Sequence, residues 1–293
     1  MRRWLSVVRT TAVEIVSEPL SFLLTLSAMG VSVVTPAMHY HQFGEADRMA
    51  RDAGLSALLV FGLLFAIFPT VKAFRREIES GTLEMALAHP VSRTAFFLAK
   101  TAGAFLAYLV FAVSVTAVSS VVVKGALVGG AIAAKTGDIA TVYRPSLAVA
   151  AAATVAPPVL AAALNRFARF RFSLTAMILA AAFSVAGTVC RFDPGLLGRY
   201  LPAAAALVLP AAVFVTASAA FAVRWRENAA ASLAGLLAVL AVPALGGYYL
   251  SDALAKGGSV GVGFLLFAAA VTAPLVAAFA LLGVHFFNGR DPV

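Results

Sequence analysis

Eight long stretches without an Asp, Glu, Lys or Arg divide the sequence. Each is close to the roughly 20 apolar residues that a helix needs to cross a bilayer. In order they are 20–37, 53–71, 101–123, 145–164, 172–189, 200–223, 229–251 and 257–284. The strands of a membrane barrel would alternate over about 10 residues, and these stretches do not alternate. The pattern therefore predicts an all-α fold, a polytopic transmembrane helical bundle of about eight spans.

A different pattern precedes the first span. In residues 2–18, Trp4, Leu5 and other apolar side chains recur at helical spacing, while Arg9 and other polar side chains lie elsewhere on the wheel. Such a helix lies in the membrane interface, with Trp4 as its anchor. Pro19 then marks the turn into the bilayer, because the residue before a proline is biased away from helical geometry. A plain cytosolic tail is the alternative.

The composition agrees with a chain that has lipid as its solvent. Hydrophobic residues make up 62% and charged residues 12%, and the mean hydropathy is +0.96. A soluble fold of 293 residues could not hide this much apolar surface. The net charge of +9 sits at the ends of the apolar runs, so we expect membrane lipid and not nucleic acid as a partner.

The basic residues also predict an orientation. An even number of spans places both termini on one side. If that side is the cytosol, the inner segments hold 14 of the 22 Lys and Arg residues and the outer segments hold 8. This bias predicts a multi-pass protein of the cytoplasmic membrane with both termini in the cytosol. The whole chain, 1–293, is then one membrane domain, with spans one and two in 20–71 and the remaining spans in 96–293.

The most polar stretch of the predicted inner face is 75–93, between the second and third spans. Its first residues continue the second helix, Gly81 breaks that helix, and Thr82 caps a short helix that Pro90 ends. Leu83, Leu87 and their neighbours make one side of that short helix apolar. Such a helix can press into a groove of a cytosolic partner. An ordinary interfacial loop is the alternative.

Residues 76–100 resemble the hallmark of ABC-2-type transporter permeases. The resemblance rests on an acidic residue, the step Gly81-Thr82-Leu83, the turn Pro90-Val91-Ser92-Arg93, and Lys100 at the start of the third span. The family also has an amphipathic "elbow" helix similar to 2–18 and a short Arg-Asp ending similar to Arg290-Asp291. The loop from Asn165 to Phe172 resembles that of a branch with more than six helices.

The resemblance implies a permease subunit that dimerises with an identical or different second permease and sits on two ATP-binding subunits. Substrate export is the family's tendency, and 77–89 would be the coupling helix. The implied roles are polar contacts to the ATPase for Glu77 and Glu79, the turn for Gly81 and Thr82, groove filling for Leu83 and Leu87, and the inner interface for Lys100.

The chain carries no convincing active site of its own. Residues 129–136 approach a phosphate-binding loop, but Ala134 stands where its second glycine should be and no strand precedes it. His39 and His41 would need further ligands to hold a metal. We therefore expect no enzyme activity, no cofactor and no metal. The alternative function is an ion-coupled secondary transporter of a small or amphipathic solute. Such carriers usually have Asp, Glu or His inside the bundle. The middles of these spans have none, so this hypothesis ranks second.

Overall fold

The computed structural model describes residues 2–35, 46–80, 92–136, 139–168, 171–191, 193–244 and 260–289. In these ranges the secondary structure is helical, with turns between the helices and no strand, which confirms the all-α prediction. The helices are α1 (Arg2–Val16), α2 (Pro19–Val34), α3 (Ala46–Glu79), α4 (Arg93–Thr136), α5 (Ile139–Ala168), α6 (Phe172–Cys190), α7 (Pro194–Arg224), α8 (Glu227–Ala244) and α9 (Val262–Asn288).

Six of these helices are long and apolar enough to cross a bilayer, counting only the described ranges: α3, α4, α5, α6, α7 and α9. The bent pair α1 and α2 adds a seventh if it forms one span. By itself α2 has 16 residues, about 24 Å of helix against a hydrocarbon core of about 30 Å. The eight predicted runs fall on α2 to α9, and the prediction of about eight spans is roughly consistent with the six or seven candidate spans in the described residues.

A sharp corner joins α1 to α2, whose axes differ by 65°. Glu18 is extended there, with φ −70° and ψ 131°, and Pro19 is the first residue of α2. This is the geometry that the residue before a proline prefers. Ile15 and Val16 are buried and Trp4 is 42% exposed, so α1 has the two faces that its sequence predicts. The role of Trp4 as an interfacial anchor stays a prediction.

Gly103 on α4 lets α1 lie directly against the bundle. A Cβ atom at Gly103 would lie 2.6 Å from the carbonyl oxygen of Val8 and 2.8 Å from the Cβ of Thr11. Any larger residue would push the α1 backbone away, because Val8 offers backbone and not a flexible side chain at this point. Small residues at such positions are the usual means of close helix approach in membranes.

Among the described residues, two groups of apolar side chains hold the bundle together. The larger one surrounds α4 and includes Phe65 and Phe111, whose rings stack with centroids 5.0 Å apart. The smaller one lies where α3 ends and α4 begins. There Phe97 packs against Phe74 at 5.6 Å and against Phe287 of α9 at 6.0 Å, measured between ring centroids. This aromatic group fixes the ends of α3, α4 and α9 to each other.

Candidate functional site

The structure brings three predicted site residues to one end of the bundle. Glu77 and Glu79 lie on the last turn of α3, and Lys100 lies about two turns into α4. The other four predicted coupling residues, Gly81, Thr82, Leu83 and Leu87, lie outside the described residues. The described part of the predicted site is therefore the α3–α4 end.

Lys100 is a buried cation with a carboxylate beside it. Its Nζ lies 2.5 Å from Oε2 of Glu77, and its side chain is 1% exposed. The same Nζ lies 5.1 Å from the centroid of the Phe74 ring, within the range of a cation–π interaction. A buried ammonium group is costly unless such partners compensate it. The residue predicted to mark the interface is thus fully enclosed, and it ties α4 to the end of α3.

Glu79 has a different environment from Glu77, although both were predicted to contact the same partner. Its side chain is 57% exposed. Arg75, one helical turn earlier, donates to Oε1 of Glu79 from Nη2 at 2.7 Å and from Nε at 3.2 Å. Glu79 therefore keeps a fixed side-chain position while its carboxylate faces outward. Of the two glutamates, Glu79 presents the accessible charge.

Two further carboxylates, which the sequence analysis did not identify, reach this end from α1. Glu18 at the α1–α2 corner pairs with Lys72 of α3, and Oε1 of Glu14 lies 3.9 Å from Nη1 of Arg76. The sequence shows only an equal spacing, since Glu14 and Glu18 are four residues apart and so are Lys72 and Arg76. Lys72 and Arg76 share one face of α3, whereas Glu18 lies at the extended corner after α1. The pairing therefore depends on how α1 crosses α3.

Burial changes the chemistry of Glu14. Partial burial raises the pKa of Glu14 above its ordinary value, while the nearby positive charge of Lys100 acts against that rise. The protonated fraction of Glu14 is therefore larger than that of an exposed glutamate at the same pH. The α3–α4 end thus carries a set of interacting charges drawn from α1, α3 and α4.

An open groove of about 990 Å³ lies beside these charges, between α1 and the end of α3. We call it the α1–α3 groove. Its charged lining residues are Arg9, Glu14, Arg76, Glu77 and Arg171. Its other lining residues are Leu5, Ser6, Thr10, Val13 and Ser80. The groove combines guanidinium groups from three parts of the chain with two exposed apolar side chains.

Metal chemistry has no evident site in the described part of the chain. No three His, Cys, Asp or Glu residues there are grouped so that they could hold a metal ion. The pair His39 and His41 lies outside the described residues.

One comparison with known proteins gives a match. Residues 6–187 match the model of a family described as "ABC-2 family transporter protein". The match covers about three fifths of the chain and runs from α1 through nearly all of α6, so it includes the α3–α4 end. No curated protein and no solved structure matches the chain.

Proposed function

The chain belongs to the ABC-2 family of transporter proteins, and from this membership we propose that it is a permease subunit driven by a separate ATP-binding subunit. The family match and the apolar helices support a transport role within a membrane. In this proposal ATP is hydrolysed on the partner chain, both termini lie in the cytosol, and the substrate is exported. A second permease, identical or different, completes the membrane part.

The family match carries this proposal, and the Glu77–Lys100 ion pair is the described contact through which the coupling would act. Glu77 lies near the end of α3 and is the first residue of the predicted coupling helix 77–89, and its partner Lys100 is enclosed in α4. A force applied to 77–89 by an ATP-binding subunit reaches α3 directly. The ion pair and the aromatic side chains around it then pass that force to α4. Removing one member of a buried pair is costly, so the connection resists being pulled apart.

Glu79 is the described residue best placed to meet the partner. Its carboxylate is exposed and oriented by Arg75, and its predicted polar contact to the ATPase stays part of the proposal. Glu77, engaged by Lys100, would act mainly within the permease. The predicted roles of Gly81, Thr82, Leu83 and Leu87 at the docking surface complete the proposal.

The docking surface is tested by replacing Leu83. The tagged chain is purified from its source membranes, and an ATP-binding subunit is identified by mass spectrometry and by its nucleotide-binding motifs. We expect Leu83→Asp to reduce the recovered subunit at least tenfold, because a charge cannot fill an apolar groove. Leu83→Met keeps the volume and should keep the subunit. Equal recovery with both variants would contradict the coupling role of this segment.

The orientation is tested with the chain's single cysteine, Cys190, which is exposed at the end of α6. In intact cells a membrane-impermeant maleimide should label Cys190, because the proposal places it outside. In the variant Cys190→Ser with Ser80→Cys, labelling should require inside-out vesicles. The opposite pattern of labelling would reverse the topology and remove the ATPase docking surface from the cytosol.

The ion-coupled alternative finds no specific support in the described residues. The charged side chains buried there are Arg75 and Lys100, which are both basic and both lie near the α3–α4 end. A carrier driven by an ion gradient usually has a carboxylate or histidine inside the bundle. Transport by the purified chain alone under an ion gradient would favour this alternative over the proposal.

A further inference from the structure

We propose that the α1–α3 groove binds the headgroup of an anionic membrane phospholipid through its phosphate. The groove has a volume of about 990 Å³, which is at the upper end of sites that take a small molecule. Its walls come from α1, from the end of α3 and from the residue that precedes α6. This inference requires a membrane protein but does not depend on the coupling to ATP.

The charges of the groove favour an anion. Arg9, Arg76 and Arg171 bring three guanidinium groups to it. In the part of the chain that the structure describes, Arg9 and Arg171 form no ion pair. Nη1 of Arg76 lies 3.9 Å from Oε1 of Glu14. A guanidinium fork matches the oxygens of a phosphate group in shape and in charge.

The two carboxylates that also line the groove do not cancel these charges. Glu77 is engaged by the ammonium group of Lys100 at 2.5 Å. Glu14 lies beside Arg76, and its side chain is 26% exposed. The side chains with charge left for a ligand are therefore mainly the two arginines without a carboxylate partner, Arg9 and Arg171.

The apolar part of the lining favours a lipid over a free phosphate ion. Leu5 is 57% exposed and Val13 is 38% exposed, and both line the groove. An inorganic phosphate ion would fill only a small part of the volume and would leave these side chains uncovered. A phospholipid places its phosphate among the arginines and its glycerol and upper acyl carbons against the apolar side chains.

The position of the groove along the chain agrees with the depth of headgroups. Arg171 immediately precedes Phe172, the first residue of a candidate span. The 65° corner between α1 and α2 places α1 across the start of another apolar helix. Basic residues at the ends of spans lie at the level of the phosphates, and basic pockets between helices on the cytoplasmic side take anionic headgroups.

The test measures lipid binding to the purified chain in detergent by native mass spectrometry. The probes are phosphatidylglycerol, zwitterionic phosphatidylcholine and soluble glycerol phosphate. The groove variant is Arg9→Gln with Arg171→Gln, and the control variant is Arg224→Gln with Arg226→Gln, two exposed arginines that lie outside the groove. We expect the groove variant to bind phosphatidylglycerol roughly 30-fold more weakly, since each arginine contributes about fivefold near an anionic surface. The control should change less than twofold.

Several results would overturn the inference. Equal losses in both variants would show diffuse surface charge and no specific site. Tight binding of glycerol phosphate would assign the groove to a soluble anion. Unchanged lipid binding together with loss of the ATP-binding subunit in the groove variant would make the groove a protein-docking surface. Thermal unfolding of both variants shows whether they fold. If the lipid test fails while the control variant still carries out ATP-driven transport, the lipid inference is wrong and the coupling proposal is unaffected.

Discussion

Helices α4 and α9 are similarly apolar, yet they occupy opposite environments. The most apolar 18-residue stretch of α4 is 78% buried within the chain, whereas that of α9 is 6% buried. Phe111 of α4 is completely enclosed and Phe267 of α9 is 66% exposed. Lipid tails are as apolar as a protein core. In a membrane protein, apolarity therefore shows which segments cross the bilayer and does not show which of them lie inside.

Small and hydroxyl residues distinguish the buried faces better than apolarity does. The buried residues of α9 are Thr272, Gly283 and Phe287, and the centre of α4 contains many buried alanines and serines. At Gly283 a Cβ atom would overlap the ring of Phe97. Helices in membranes approach each other where side chains are small, so these positions mark where α9 contacts the bundle.

The sharpest test of the comparison replaces one phenylalanine on each helix. We expect Phe111→Ala to lower the free energy of unfolding in detergent micelles by about 4 kcal/mol, because it leaves a cavity in a packed core. Phe267→Ala should change it by less than about 0.5 kcal/mol, since detergent replaces the lost contacts. Similar losses at both positions would mean that α9 is enclosed as α4 is.

The second test removes the enclosed charge of α4. Lys100→Met should cost about 3 kcal/mol of unfolding free energy, because it leaves the partly buried carboxylate of Glu77 without its cation. The control Lys72→Met breaks a pair whose lysine is 45% exposed, and it should cost less than about 1 kcal/mol. Adding Glu77→Gln to Lys100→Met should recover part of the loss. A chain that tolerates Lys100→Met as well as Lys72→Met would contradict the structural importance of the pair.

The third test compares two glycines of α9 itself. Gly283→Val should destabilise the chain by about 2 kcal/mol, because the added atoms overlap the Phe97 ring and force a shift. At Gly263 a Cβ would meet nothing within 4 Å, so Gly263→Val should be close to neutral. The unfolding free energies of both purified variants are measured by denaturant titration. If Gly263→Val destabilises the chain more than Gly283→Val does, α9 does not pack against the bundle through Gly283.

The smallest effect concerns a hydrogen bond that α7 makes to α4. The hydroxyl group of Tyr200 donates to Oγ of Ser119 at 2.7 Å in a buried position. Tyr200→Phe should cost about 1 kcal/mol of unfolding free energy, the usual net value of such a bond. Tyr108→Phe is the control, because no hydrogen bond of the Tyr108 hydroxyl is found in the described structure. Equal effects would show that the bond adds nothing beyond packing.

The sequence predicts the fold class well for a physical reason. A run without charges is a local property, and backbone groups in lipid must be satisfied within a helix. The class and the approximate places of α2 to α9 follow from this. The division of those helices into enclosed and exposed ones does not follow, because it depends on which helices meet.

The candidate site was predictable in part. The resemblance over 76–100 directs attention to Glu77, Glu79 and Lys100, and the structure places all three at one end of the bundle. It gives Glu77 and Glu79 different surroundings, because Lys100 reaches Glu77 from the next helix. The contribution of α1 depends on its crossing of α3, and no periodicity within either helix contains that information.

The length of α4 sets a mechanical property of this bundle. α4 has 44 residues, and about 54 Å of its axis extends beyond Lys100 toward Thr136. If the enclosed lysine serves as a pivot, a tilt of about 10° carries the far tip sideways by roughly 9 Å, close to the 8–10 Å between neighbouring helix axes. A rotation small enough to leave Lys100 packed would thus move the far end of α4 by about one helix spacing.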